Sequence, residues 1–467
     1  MSTEGLPGLY QQNFSPETLR LRRLRVGEAI GASAMALVQG AALSGAMALF
    51  RQSNEMYYLT GVEVPNAYIL IVGETGHSTL YLEHRDAGAA RGEGERLNAD
   101  DPESVVRLTG VDAVSALEQL PKDLWRMSWK SQTPTLLTPF RPAEGAAASR
   151  DSLLGAVASS AGDPWADTST REATFADRLR GAFPGVAVSD LSPVLDRLRE
   201  VKDSSEIDLL RVAGRLTAVG VLAAMRGTAP GMHEYQLAAI ANYVFSDGGA
   251  RSEGYRAIVG GGTNAWHGHY GRQCDPLQDG DLVLMDHAAD YAYYTSDIGR
   301  VWPVNGTYTD AQRTLYGFIV EYHRELLSRT GPGISTNAVM DHVAQVMEKR
   351  INEIKWSFPH HEAAARGALA FRGHYSHPVG MAVHDVGDYR DRPVEVGAVF
   401  ALDPMIWIPE ERLYIRCEDT IVITSDGYEN VTELAPLDCD EIEAAMADDG
   451  ILDVWDPGTG TVLWSQS

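Results

Sequence analysis

Four acidic side chains in the C-terminal half stand at the ends of strand-like apolar runs, and their placement constrains the fold more than any other feature. Asp286 closes the run Asp281-Leu282-Val283-Leu284-Met285-Asp286, and Asp297 lies in a segment, Tyr293–Arg300, that can pair back on it. The midpoint between the two acids falls at Tyr291-Ala292. A hairpin with an even loop therefore sets them opposite one another on one face, with Cβ atoms about 5 Å apart. Asp403 and Glu418 repeat the pattern around the turn-like Pro409-Glu410-Glu411-Arg412, between strands at Ala398–Leu402 and Tyr414–Thr424. By the two-residue period of a strand, Arg416 shares the face of Glu418 and Cys417 points away. Carboxylates this close repel each other without a cation. Four of them suit hard divalent ions, and an added imidazole moves the preference towards Mn2+, Co2+, Zn2+ or Fe2+. With 64 acidic residues in the chain, spacing alone leaves ordinary surface acids as the alternative.

The 467 residues suffice for two or three domains, and 44% of them are apolar, enough for a full core. A net charge of −25 repels nucleic-acid phosphates and anionic membranes, so neither is an expected partner. Cys274, Cys417 and Cys439 are far apart and form no Cys-x-x-Cys pair, which fits a reducing cytoplasm. Arg22, Arg23 and Arg25 precede an apolar stretch, Ala29–Phe50, broken by Gln39, Gly40 and Ser44. It reads as a helix, a turn and a strand near Ala46–Phe50, not as a targeting or membrane segment.

The first half reads as an α/β domain. Strands are expected at Met56–Leu59, Ala67–Val72 and Ser78–Leu82, a helix near Asp112–Leu120, and a loop or soft helix over Pro142–Thr170. The boundary falls near residue 200, giving domains of 1–200 and 201–467. Asp203-Ser204-Ser205-Glu206 is a capping pattern before a long amphipathic helix, with a second helix at His233–Val244. Further helices are expected at Asp310–Ser328 and Thr336–Ile354. His360, His361 and Glu362, between a proline and an alanine-rich run, read as an exposed loop. The second half is an α+β domain around a curved antiparallel sheet.

Asp279–Asp286, Ser296-Asp297-Ile298-Gly299-Arg300, Ser376-His377-Pro378-Val379-Gly380, His384-Asp385-Val386-Gly387 and Ile415-Arg416-Cys417-Glu418-Asp419 together resemble the pita-bread metallopeptidase family. Arg51–Gly61 resembles the N-terminal creatinase/prolidase-like domain found in aminopeptidase P and prolidase. The resemblance implies two divalent metals, Mn2+ first, with Co2+, Zn2+ or Fe2+ as alternatives. Their ligands would be Asp286, Asp297, His377, Asp403 and Glu418. It places His269 near the leaving group, His384 at the substrate carbonyl, Asp403 at proton transfer, and Arg416 behind the carboxylates. The implied activity is cleavage of an N-terminal Xaa-Pro bond by a hydroxide bridging the two metals. The implied substrate is a peptide with proline second, and the implied assembly a homodimer or larger homo-oligomer. A dipeptidase, a non-peptidase such as a lyase, and a binding protein on a decayed scaffold are the other readings.

The chain departs from the family pattern at three places. Asp403 stands where the family has a glutamate, which moves the carboxylate back by roughly 1.5 Å. His374 lies three residues before His377 where the family places a substrate histidine four before, so it is either displaced by a shorter loop or structural. Gly299 stands where a hydroxyl residue is usual. His287, beside Asp286, is expected on the opposite face of its strand.

Overall fold

The computed structural model describes residues 11–450 except 44, 46–48, 131–134 and 167–168, together with short strands at Trp455–Asp456 and Thr461–Val462. Contacts divide the chain into two compact units, Met1–Arg199 and Glu200–Ser467.

The first unit holds strands β1 (Ala34–Gln39), β2 (Tyr68–Val72), β3 (Ser78–Leu82), β4 (Ala113–Ala116), β5 (Thr135–Thr138) and β6 (Ala187–Asp190). They form one mixed sheet in the order β4-β3-β2-β1-β5-β6. Three expectations fail here. Met56–Leu59 lies in a helix, Asn54–Thr60, buried on every side, so no helical period shows in its sequence. Gly61, at φ 67°, ends it in the left-handed conformation that glycine adopts freely. The expected helix at Asp112–Leu120 is β4 followed by a 3-10 turn. Residues 34–39, expected as helix, are β1. The strand expected near Ala46–Phe50 lies largely outside the described residues.

The arginines before the apolar stretch have an internal task. Arg22 and Arg23 are buried on the helix Pro16–Ile30 and donate to the carbonyls of Tyr58 (3.1 Å) and Leu59 (2.8 Å). They thus satisfy carbonyls left open at the C-terminus of helix Asn54–Thr60. Among the described residues, no helix is long and apolar enough to cross a membrane.

The second unit opens with helix Ser204–Gly227, capped by the reciprocal Asp203–Glu206 box expected from sequence, and with helix Glu234–Asp247. Strands β7 (Ser252–Glu253), β8 (Ile258–Gly261), β9 (Leu282–Asp286), β10 (Ala289–Asp290) and β11 (Gly299–Pro303) follow. Helices Asp310–Arg329, Thr336–Glu353 and Pro359–Ala370 precede β12 (Tyr375–Pro378), β13 (Val399–Leu402), β14 (Met405–Ile408), β15 (Leu413–Arg416), β16 (Asp419–Thr424) and β17 (Gly427–Asn430). The sheets β11-β9-β8 and β12-β13-β16-β17 and the hairpin β14-β15 are antiparallel throughout. Their apolar faces and the helices share one core that includes Phe245, Trp302, Tyr316 and Phe318.

Register decides where the acids point. Asp286 pairs with Gly299, not with Asp297. The turn lies one residue later than its expected midpoint: Tyr291 and Tyr294 exchange hydrogen bonds of 2.8 and 3.0 Å, and Ala292 and Tyr293 have φ of 50° and 74°. Neither residue type favours positive φ, so the sequence carries no signal for this turn. A shift of two residues keeps Asp286 and Asp297 on one face as diagonal neighbours. The second pair follows the expected register. Leu402 faces Asp419 and Met405 faces Arg416, which leaves Asp403 opposite Glu418 between the two ladders. The single strand expected at Tyr414–Thr424 breaks there, because the Glu418 N–H donates to Gly299 O (2.8 Å) of β11.

Candidate metal centre

Strand ends from both sheets bring the five expected ligands and Arg416 into one buried cluster. The Nε2 of His377 lies 3.3 Å from Asp297 Oδ2. Asp297, His377 and Glu418 each offer a ligand atom within 4.8 Å of the others. The backbone of Asp297 is fixed by Thr420, whose Oγ1 accepts its N–H at 2.7 Å. Asp403 is held by its own N–H, donated to His374 O at 2.6 Å. Arg416 joins the other carboxylates: Nε and Nη2 grip both oxygens of Asp403 (2.9 and 2.6 Å), Nη1 reaches Asp286 (2.5 Å), and Nη2 also contacts Glu418. Cys417 points the other way, as expected, with its thiol towards Ile319 O.

The electrostatics ask for cations. Four carboxylates, all buried, face one guanidinium. Burial pushes the Asp286 carboxyl up to about 7, against the pull of Arg416 and with a further push from Asp297. Burial also raises Glu418 well above the ordinary range and raises Asp403. Asp297 is buried too, but the hydrogen bond and charge of His377 bring it below its usual value. Glu418 Oε1 is buried without a hydrogen-bond partner among the described residues, an acceptor turned away from water. Oxygen donors with one imidazole, excess negative charge and an orphaned carboxylate oxygen fit divalent metal ions.

Of the expected histidines, His384 sits beside the cluster, its ring 4.1 Å from that of His377 between centroids. His269 lies on an exposed turn, and the hydrogen bonds described for the cluster do not include it. His374 resolves as structural. It is fully buried between Tyr322 and Phe371, its Nε2–H donates to Ala368 O at 2.8 Å, and burial holds its pKa down to about 4. His287 faces away as expected, its ring tilted at 56° against Phe245 and its Nε2 3.3 Å from Glu253.

The sequence reading missed Tyr255. Its hydroxyl contacts both Asp286 and Asp297. A phenol has one proton, so it can donate to only one carboxylate at a time. No spacing signal marks this residue, which reaches the acids from the segment between β7 and β8. Gly299 also acquires a reason. A Cβ there would lie 3.0 Å from both Arg416 Nε and Glu418 Oε2, so the absent side chain is the space through which Arg416 passes.

Residues 208–425 match metallopeptidase family M24, and residues 19–136 match the aminopeptidase P N-terminal domain. The chain belongs to metallopeptidase family M24, in its two-domain aminopeptidase P form with a pita-bread C-terminal domain. Within that family it is 32% identical to the Xaa-Pro aminopeptidase of Escherichia coli strain K12, over 85% of this chain and 89% of that enzyme. It is 25% identical to the human Xaa-Pro dipeptidase over 91% of each. Among solved structures, proline aminopeptidase P II from Yersinia pestis superposes with a TM-score of 0.75 at 30% identity, covering 93% of this chain and 100% of that one. Zn-substituted E. coli aminopeptidase P in complex with product gives 0.73 at 28% identity, covering 93% and 99%.

Proposed function

We propose that this chain is a metal-dependent Xaa-Pro aminopeptidase that releases the N-terminal residue from peptides with proline in second position. The observation that carries the reading is the buried convergence of Asp286, Asp297, His377, Asp403 and Glu418 on one face. We assign residues 1–200 to the N-terminal domain and 201–467 to the catalytic domain. The ligand set would hold two divalent ions, Mn2+ before Co2+, Zn2+ or Fe2+, because oxygen donors outnumber nitrogen. When bound, such ions supply Lewis acidity and an activated water.

The chain's own residues do the rest. Arg416 fixes the Asp403 carboxylate by a two-pronged grip, so that its oxygens face the cluster in one orientation. Asp403, with its carboxyl raised by burial, is suited to carry a proton to the departing proline nitrogen, which has no N–H of its own. His384, whose ring lies beside that of His377, would hydrogen-bond the oxygen that gains negative charge as the amide is attacked. His269, on its exposed turn, would meet the substrate beyond the scissile bond. We further assign the chain to the cytoplasm as a homo-oligomer, with no nucleic acid or membrane partner.

The test is product analysis with Mn2+-loaded protein on Gly-Pro and on a longer Xaa-Pro-Xaa peptide, beside Asp403→Glu. Release of the first residue from the longer peptide supports the reading. Cleavage of Gly-Pro alone makes the chain a dipeptidase, and cleavage of neither overturns the peptidase reading. Asp403 is fully buried with both oxygens held, so the extra methylene of Asp403→Glu displaces Arg416 and lowers kcat about tenfold or more.

A further inference from the structure

A second set of metal-ligating side chains converges elsewhere in the second unit. His360 and His361 were expected in an exposed loop, but they form the first turn of helix Pro359–Ala370, with the proline at its start. Glu362 does not join them; it pairs with Arg366. Their partner is Glu411, in the turn between β14 and β15. The Nε2 atoms of His360 and His361 lie 2.5 and 2.6 Å from the same oxygen, Glu411 Oε1. The two rings stand at 87° with centroids 4.6 Å apart, so their nitrogens approach from separate directions. Phe358 backs the pair, parallel to His360 and edge-on to His361. The side chain of His361 is 1% exposed, while those of His360 and Glu411 are 28% and 37% exposed, so the cluster is walled on one side and open to solvent on the other.

We propose that His360, His361 and Glu411 form a binding site for a single zinc-class cation, separate from the carboxylate-rich centre. Three ligand atoms already lie within 4.8 Å of one another. Two imidazoles and a carboxylate are a donor set of Zn2+, with bonds of about 2.0–2.2 Å and a fourth position left for water. A tetrahedral ion between such donors separates them by about 3.3 Å. Each nitrogen–oxygen gap therefore has to open by less than about 1 Å, a movement open to the half-exposed Glu411 side chain. The nitrogen-rich donor set sets this site apart from the main cluster, where carboxylates outnumber imidazoles four to one.

The position assigns the ion a task. Helix Pro359–Ala370 and the hairpin tip would be tied at one point, and the same hairpin carries Arg416 at the far end of β15 and leads on to Glu418. Five positions along the chain, at most about 17 Å, separate Glu411 in the turn from Arg416 at the end of β15. The ion is thus a staple for the hairpin, outside reach of the peptide bond.

The test is equilibrium dialysis of the full chain against Zn2+, with bound metal counted by elemental analysis, for wild type, His360→Gln and Glu411→Gln. Both replaced side chains are partly exposed, and circular dichroism checks that both variants fold. The expected result is one ion fewer per chain in each variant, with loss of one Zn2+-dependent step in the thermal melt and Xaa-Pro cleavage within twofold of wild type. Equal metal content and equal Zn2+ melts in all three proteins would overturn the proposal and leave a hydrogen-bonded cluster only. The count does not depend on which reaction the main centre performs.

Discussion

Gly299→Ala tests how finely the main cluster is set. A Cβ on Gly299 would meet Arg416 Nε at 3.0 Å, Glu418 Oε2 at 3.0 Å and Arg416 Cδ at 3.2 Å. Comfortable contacts begin near 3.5 Å, so Arg416 and Glu418 have to retreat by roughly half an ångström. The Nε arm of the Arg416 grip on Asp403 is already 2.9 Å long. Such a retreat takes it beyond about 3.2 Å, the outer range of a good N–H···O bond. A 1 Å misplacement costs about a hundredfold in rate, so half of that costs about tenfold, or roughly 1.4 kcal/mol of activation free energy. The assay is kcat and KM on an Xaa-Pro-Xaa peptide at saturating metal, with Gly317→Ala as control, since a Cβ at Gly317 meets nothing within 4 Å. The expectation is a tenfold fall in kcat with KM changed less than threefold and full metal content. If fully metallated Gly299→Ala keeps kcat within twofold of wild type, the claim that Arg416 positions Asp403 through this gap is wrong.

Other substitutions and conditions probe the same structure. Gly317→Ala, inside helix Asp310–Arg329, should raise stability by about 1 kcal/mol in chemical denaturation, through helix propensity alone. Tyr255→Phe removes the hydroxyl shared by Asp286 and Asp297 and should weaken metal binding about tenfold or more, read by competition with a chelating dye; unchanged affinity would remove Tyr255 from the site. Metal dependence should also vary with pH. Asp286 moves from 3.8 up to about 7 in the folded chain, and Glu418 and Asp403 move the same way. The metal-free fold binds these protons more tightly than the unfolded chain, so their stabilisation is complete below the ordinary carboxylate range and is lost as pH rises through each group's folded value, about 7 for Asp286. Asp297 is lowered, and its contribution is instead lost as pH falls through its folded value. Bound cations replace the protons, so the stabilisation gained on adding Mn2+ should grow between about pH 4 and 7, by on the order of 4 kcal/mol from Asp286 alone, and the rise in Tm should grow with it. Glu55, buried in helix Asn54–Thr60 and raised by that burial, and His374, lowered by its own, titrate alike in loaded and metal-free protein and cancel. A metal-dependent Tm shift that stays flat across that range would contradict the buried-carboxylate account.

Legibility in the sequence followed the range of the forces involved. Capping at Asp203, the symmetric turn at Pro409–Arg412 and the two-residue period around Glu418 are local, and each placed its residues as expected. The Asp286–Asp297 pairing failed because its turn is made by Ala292 and Tyr293, whose side chains do not advertise positive φ. The helix Asn54–Thr60 was hidden by burial on all sides, which erases the period that reveals a helix. His360 and His361 could not be matched to Glu411, because fifty positions separate them and only tertiary packing brings them together. Tyr255 was silent for the same reason. The convergence of Asp286, Asp297, His377, Asp403 and Glu418 was legible through family resemblance, whereas spacing alone could not distinguish them from surface acids.

The bond from the Glu418 N–H to Gly299 O has a consequence for folding. With the hydrogen bond from Arg300 to Glu418 O, which spans 118 positions, it stitches the sheet of β9 and β11 to that of β13 and β16. Neither sheet alone holds the complete proposed ligand set: Asp286 and Asp297 lie at the ends of one, while His377, Asp403 and Glu418 belong to the other. Partial opening of either sheet would therefore dissolve the proposed ion site as surely as complete unfolding. In native-state hydrogen exchange, added metal should slow the amides of both sheets together, so that bound cations couple two otherwise separable opening events into one.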